Sequence, residues 1–451
     1  MPGRKKISTR QEMITEMRMV LEKADKEKLD HLLVKTDPED IAEVLGEFSV
    51  DDKLRIFNAL NAENAAVVLD DTDPRTRIQI LQKIGNEKLA QILEEMPVDE
   101  AADIVEDVPE KDREDILDLM EDEDAEDVEE ILSYPEDSAA RVMNPEFASI
   151  SAENDVEDAI DHIRGKDIDE NIFHVYVIDE SDRLKGKVPI GKLITAPSGT
   201  LIKDIMEQDT HFILANEDQE KAALIMKKYD LFSLPVVDNK GRLVGRITAD
   251  DIIDVMDEER GEDISRMTGT IEEEQGKETT LKATQNRLPW LVTCMIGSII
   301  TGFVIRMYEI TLTETIALVS FIPVITATGG NSGVQASTVV VREIALGHMD
   351  IFKIGEEIWR QFKIALGLGV VCGVVLSILT NFWIKDSLIG LIVGLSLFLV
   401  VVWSNFVGVV TPLVFKKLNI DPAIASGPLI TTLNDVIGVF IYLSIATMIL
   451  G

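Results

Sequence analysis

Between residues 41 and 132, branched apolar side chains return every twelve positions: Val44, Ile56, Val68, Ile80, Ile92, Ile104, Ile116 and Val128. A second large apolar residue follows at Leu45, Phe57, Leu69, Leu81, Leu93, Val105 and Leu117. Helix-start signals lie between the blocks, at Asp37-Pro38, Asp73-Pro74, Pro97-Val-Asp and Pro109-Glu. Twelve residues make one short helix and a tight turn. Stacking such helices buries a continuous seam, so the pattern predicts an all-α superhelical domain over residues 1–136.

The pattern then changes twice. Met143, Ile150, Ala152 and Ala159 recur 63 positions later as Met206, Ile213, Ala215 and Ala222, which marks a duplication over 137–257. Each copy reads as a helix and two strands. The strands are His174–Asp179 and Leu184–Val188 in the first copy. In the second they are Ser233–Asp238 and Leu243–Thr248, joined by the turn Asn239-Lys-Gly241. After residue 286 come five runs with little or no charge: Leu288–Ile305, Thr315–Val341, Ile364–Ile384, Ser387–Phe415 and Pro422–Gly451. Each is long enough to cross a hydrocarbon core of about 30 Å. The expected fold class is multidomain: the superhelix, an α/β pair, and an α-helical five-span transmembrane domain over 287–451. Residues 258–286 are polar, carry Glu258-Glu259, Glu262-Asp263 and Glu272-Glu273-Glu274, and are expected to be a connecting helix.

Charge sharpens this division. The formal net charge of the 451 residues is −37, yet residues 287–451 hold nine acids and nine bases. The whole excess sits in residues 1–286. Such a field repels nucleic acid and attracts cations, although a merely solubilising surface would look the same. The two cysteines lie in apolar runs and suggest no disulfide framework, which fits a reducing compartment for the soluble part. The stretch from Met1 to Lys6 leads into charged helix without the apolar core of a signal peptide. Basic residues gather in the loop holding Arg342, Lys353, Arg360 and Lys363, and again at Lys416-Lys417. These loops are expected to be cytosolic, which puts the N-terminus in the cytosol and the C-terminus outside an inner cell membrane.

One acid stands inside a span. Asp435 lies 13 residues after Pro422 and 16 before Gly451. An intramembrane carboxylate costs about 2.5–3.5 kcal/mol on insertion scales, so it marks a water or ion path, or else a neutral acid hydrogen-bonded to a neighbouring helix. The same run contains Gly427-Pro428, where proline removes a backbone donor and frees a carbonyl. A matching break is expected in the second run, over Thr326-Ala-Thr-Gly-Gly-Asn-Ser-Gly-Val-Gln335. Oxygen donors without thiolates or imidazole suit hard cations such as Mg²⁺ or Ca²⁺, and His348 falls in a loop. No Ser/His/Asp set, phosphate loop or zinc spacing points to an enzyme.

The run from Tyr229 to Asp251 closely resembles a CBS domain, and the duplication resembles the usual CBS pair. Gly245-Arg-Ile-Thr248-Ala-Asp-Asp251 is similar to a ribose-phosphate grip, which implies that Thr248 and Asp251 hold a nucleotide such as ATP as a modulator. The first copy has Pro189 and Lys192 at the matching places, so at most one nucleotide site per chain is expected.

Gly-Gly-Asn-Ser-Gly at 329–333 with Gln335, Asp421-Pro-Ala, Gly427-Pro and Thr-Thr-Leu-Asn-Asp435 together resemble the MgtE family of magnesium channels. The resemblance implies a homodimer in the bilayer with one pore at the subunit interface. The Asp435 pair would hold a hydrated Mg²⁺, and Asn331, Thr338 and the backbone around Gly427 would line the path. It also implies closure by cytosolic Mg²⁺ bound among Asp218, Glu220, Asp251, Asp254, Glu259, Glu262 and Asp263. Val334 departs from the family, whose members often carry a polar residue there. Two other readings stay open: a cation-coupled secondary transporter of divalent metals, and a membrane-anchored nucleotide sensor that conducts nothing.

Overall fold

The structure is a computed structural model describing residues 10–165, 172–270, 280–346, 349, 354–418, 420–425 and 427–450. The stretch Met1–Lys6, the acidic run at 272–274, Lys353 and His348 lie outside these residues. The chain forms two compact units, which divide between Asp257 and Glu258.

Ten helices, from Arg10–Glu22 to Asp122–Ser133, open the first unit. Most are eight to ten residues long and could not hold together alone in water. Their stability comes from stacking: all eight positions of the twelve-residue series are at most 1% exposed. Caps set the turns between them. Asp37 precedes Pro38 at a helix start, and the side chains of Ser49, Asn61 and Asp73 accept from the backbone N–H groups of Asp52, Asn64 and Thr76.

The duplication forms two three-stranded sheets of the same topology. In the first, β1 (Ser149–Ser151) pairs parallel with β2 (His174–Ile178), which pairs antiparallel with β3 (Leu184–Pro189). In the second, β4 (Ile213–Leu214), β5 (Ser233–Val237) and β6 (Leu243–Thr248) repeat the order. The copies interlock reciprocally: Lys187 of β3 bridges Glu207, and Arg246 of β6 bridges Asn144. The Tyr176 hydroxyl and the Ser233 hydroxyl lie 2.6 Å apart and join β2 to β5. One apolar core runs from the helical domain into the second copy, through Ala139, Met143, Ile213, Ala222, Ile247 and Val255. The first copy has its own core around Val175, Val188 and Ile202.

Among the described residues of the second unit, five helical segments are long and apolar enough to cross a membrane: Thr280–Met307, Ile316–Ala345, Ile354–Ile384, Ser387–Lys417 and Pro422–Leu450. The expected break over 326–335 is absent. The helix Ile322–Ala345 runs through it, and the irregular part of that span is a 3-10 segment at Ile316–Phe321. The glycines keep their helical bonds and serve packing instead. A side chain on Gly329 would begin 2.7 Å from Val400, and one on Gly333 would begin 2.9 Å from Ile430. The fifth span is interrupted, by a 3-10 turn at Pro422–Ala425 and by Gly427 at φ +55°, before the helix Pro428–Leu450 begins.

The connecting segment is not one separate helix. Its first part continues the helix Ala249–Thr268, and residues 280–286 already belong to the first span.

Candidate ion path and acidic faces

Asp435 sits two turns into the helix that Pro428 starts, about 10 Å along its axis. It is half-buried, and its carboxylate faces Gly330 of the second span, 3.9 Å from the point where a side chain there would begin. The residue after Gly330 starts a polar stripe: Asn331, Gln335 and Thr338, at i, i+4 and i+7, share one face and are all exposed. Three uncharged polar side chains exposed on a span of this length are poorly matched to lipid.

Gly427 lies at the foot of the interrupted fifth span. Its left-handed backbone brings it against the end of the helix Ala249–Thr268, where a side chain would begin 2.3 Å from the Met267 carbonyl. On that helix, Arg266 is paired both with Glu262 one turn back and with Asp421 at the foot of the fifth span. Asp263 lies beside the same group. Burial, reinforced by the Asp421 charge, pushes its carboxyl up to about 6.

In the first unit the sequence-predicted acids fall at two places. Asp218 caps the helix Gln219–Tyr229, accepting from the Glu220 N–H at 2.8 Å, so this pair stands at a helix start. Asp251 and Asp254 instead face acids from the helical domain. Burial pushes Asp70 up to about 6; nearby Arg77 opposes this, while Asp71, Asp254 and Asp251 reinforce it. Asp71 is raised by burial and by Glu39. Asp254 is raised by loss of solvent and by Asp257, Asp71 and Asp250. Among the described residues no three acids converge closely enough to grip one metal ion. The arrangement is one of strained repulsion across a packed face, the condition that a divalent ion or a proton relieves.

Thr248 and Asp251 are indeed together. The Thr248 N–H and hydroxyl each lie 2.7 Å from one Asp251 carboxylate oxygen. This is one half of a capping box: Asp251, in the first turn of the helix Ala249–Thr268, reaches back to the Thr248 N–H that precedes the helix. Burial still outweighs these bonds and raises the Asp251 carboxyl.

Residues 322–445 match the MgtE divalent cation transporter model, residues 36–137 the MgtE intracellular N domain, and residues 139–199 and 202–258 the CBS domain. The magnesium transporter MgtE of Enterococcus faecalis is 36% identical over 321 residues, 71% of each chain. The chain belongs to the MgtE family of magnesium transporters. The Bacillus subtilis and Thermus thermophilus members are 36% and 35% identical over 323 and 332 residues. Part of the chain resembles the solved cytosolic domain of the Mg²⁺ channel MgtE in complex with ATP. That match has TM-score 0.51 and 31% identity, over 54% of this chain and 99% of that one. It also resembles the soluble part of a magnesium transporter at TM-score 0.51 and 27% identity. Relatives matched along most of the chain are thus named as transporters rather than enzymes.

Asp70 and Asp71 carry no local signal in the sequence that distinguishes them from dozens of solvated acids. Nor does Arg266, whose partner Asp421 lies 155 positions away.

Proposed function

We propose that the protein is a homodimeric magnesium channel of the inner cell membrane, closed by cytosolic Mg²⁺. The observation that carries this reading is the half-buried carboxylate of Asp435 next to an exposed stripe of Asn331, Gln335 and Thr338. Two copies meeting on that face would enclose the stripe and bring two carboxylates to one aqueous path. A hydrated Mg²⁺, which gives up its water reluctantly, suits a site of paired charge and neutral oxygens. The basic residues Arg342, Arg360, Lys363, Lys416 and Lys417 support a cytosolic N-terminus and an outer C-terminus.

Gating follows from the acidic faces. Asp218, Glu220, Asp251, Asp254, Glu259, Glu262 and Asp263 are the proposed Mg²⁺ ligands, joined by Asp70 and Asp71. A cation that binds best when these acids are brought together favours the packed state by its differential affinity. ATP, present in the solved cytosolic domain named above, is proposed to bind this chain beside Thr248 and Asp251 as a modulator.

The test is Mg²⁺ influx into proteoliposomes, read with an internal indicator. Wild-type protein should conduct without a proton or sodium gradient, and Asp435→Asn should abolish influx. Full influx through Asp435→Asn, or dependence on a sodium or proton gradient, would reject the channel reading.

A further inference from the structure

Where the second, fourth and fifth spans cross, the membrane unit holds a polar layer. Asn434 is 0% exposed, and neither its amide oxygen nor its amide nitrogen has a hydrogen-bond partner among the described residues. Ser404 of the fourth span is also 0% exposed, with its hydroxyl unpartnered. The two residues lie against one glycine series. The Ser404 hydroxyl is 3.2 Å from the point where a Gly329 side chain would begin. One turn on, the Asn434 amide nitrogen and the Ser404 carbonyl lie 2.2 and 3.1 Å from the same point on Gly333. Beside them the Asn405 amide donates to the Ser332 hydroxyl, so this layer does pair its polar groups where geometry allows.

A buried polar group left unpaired costs about 1–3 kcal/mol. Burial within a single subunit keeps lipid and a second copy away from Asn434 and Ser404. Whatever satisfies them is therefore small and enclosed. The amide presents two N–H donors and an acceptor oxygen, and the hydroxyl presents one donor and an acceptor. A bare cation could engage the oxygens only and would leave the amide N–H groups unmet. Water accepts and donates, and buried waters usually make two to four such bonds.

We propose that Asn434 and Ser404 form an internal water-binding site in each subunit, behind the ion path, and that Asn434 is a positioning residue for Asp435. Asp435 follows Asn434 in the chain, and its carboxylate faces Gly330, in the same glycine series. Holding the amide in the Gly333 notch fixes the rotation of the fifth span and so the direction of Asp435. The positioning role rests on reading Asp435 as the ion's resting place.

The test joins a high-resolution cryo-EM map of the full-length protein in nanodiscs to concentration-dependent Mg²⁺ flux. The map should show an ordered water within hydrogen-bond distance of both Asn434 and Ser404. Asn434→Leu should raise the half-saturating Mg²⁺ concentration several-fold while leaving the maximal flux per inserted protein unchanged. Asn434→Ser should restore much of the loss, and Ser404→Ala should shift half-saturation in the same direction. The double variant N434L/S404A should be no worse than N434L, because both act through one water. A map showing a direct protein partner or no water there, additive effects, or unchanged half-saturation would overturn the proposal. Should Asn434→Leu fail to insert, Asn434→Ser and Ser404→Ala decide by the same readouts. Normal conduction by Asp435→Asn would refute the ion-site reading alone, and the map would still test the water site.

Discussion

Arg266 is ion-paired with Asp421, which ties the end of the helix Ala249–Thr268 to the foot of the interrupted fifth span. The pair is partly exposed, so its worth is about 0.5–1 kcal/mol. If the packed state is the closed one, Arg266→Gln should raise the half-closing cytosolic Mg²⁺ concentration by about two- to five-fold. Current recorded against internal Mg²⁺ checks this; an unchanged curve would show that the pair takes no part in closure.

Gly427→Ala should be more disruptive. The residue is left-handed, and a methyl group would meet the Met267 carbonyl. The backbone strain alone is worth about 1–2 kcal/mol, and the clash must be relieved by moving the helix end. The expected result is a channel that inserts and conducts but closes poorly, measured as residual current at saturating internal Mg²⁺.

Gly333→Ala should destabilise the membrane unit itself, by about 1–3 kcal/mol as in other overpacked cores, since the new methyl collides with Asn434 and Ile430. Gly302→Ala, where nothing lies within 4 Å, is the control and should be close to neutral. Thermal unfolding in detergent, followed by tryptophan fluorescence, compares the two.

The pH prediction concerns Asp70. Its carboxyl is held up at about 6 by burial and by Asp71, Asp254 and Asp251, against the pull of Arg77. A carboxyl raised in the packed state penalises packing when ionised. The penalty is absent below the ordinary carboxylate range, grows as pH rises towards 6, and is complete above it. Its full size is on the order of 2–3 kcal/mol. Acidifying from pH 7.5 to 5.5 should therefore strengthen packing of the helical domain on the second CBS copy. Amide protection factors, taken relative to the intrinsic exchange rate at each pH, should rise accordingly in residues 62–81 and 243–257 of the full-length protein. Asp70→Asn should give the high protection at both pH values.

The twelve-residue series was legible because every repeat buries the same first position, from Val44 to Val128, and the repeats from Leu45 to Val105 bury the next one as well. The CBS strands were legible from their short apolar runs and the Asn239-Lys-Gly241 turn. The second-span glycines misled, because a run such as Gly329-Gly330 with Gly333 can break a helix or admit a close neighbour. Only the facing Val400, Ile430 and Asn434 decide between the two. Asn434 enters the sequence pattern only as the neighbour of a charged residue. Its importance comes from having no partner inside a packed layer, a fact that spacing along the chain does not carry. The facing of Asp70 and Asp254 likewise depends on the helical domain folding back on the second CBS copy.

The central claim is that the Asp435 carboxylate serves a Mg²⁺ path controlled from the cytosolic side. Patch recording of reconstituted wild type and Asp435→Asn, with internal Mg²⁺ stepped from nominally zero into the millimolar range, tests both halves at once. The account predicts inward Mg²⁺ current through the wild type that falls steeply as internal Mg²⁺ rises, and no current through the variant. Equal currents through the two proteins, or a wild-type current indifferent to internal Mg²⁺, would contradict it.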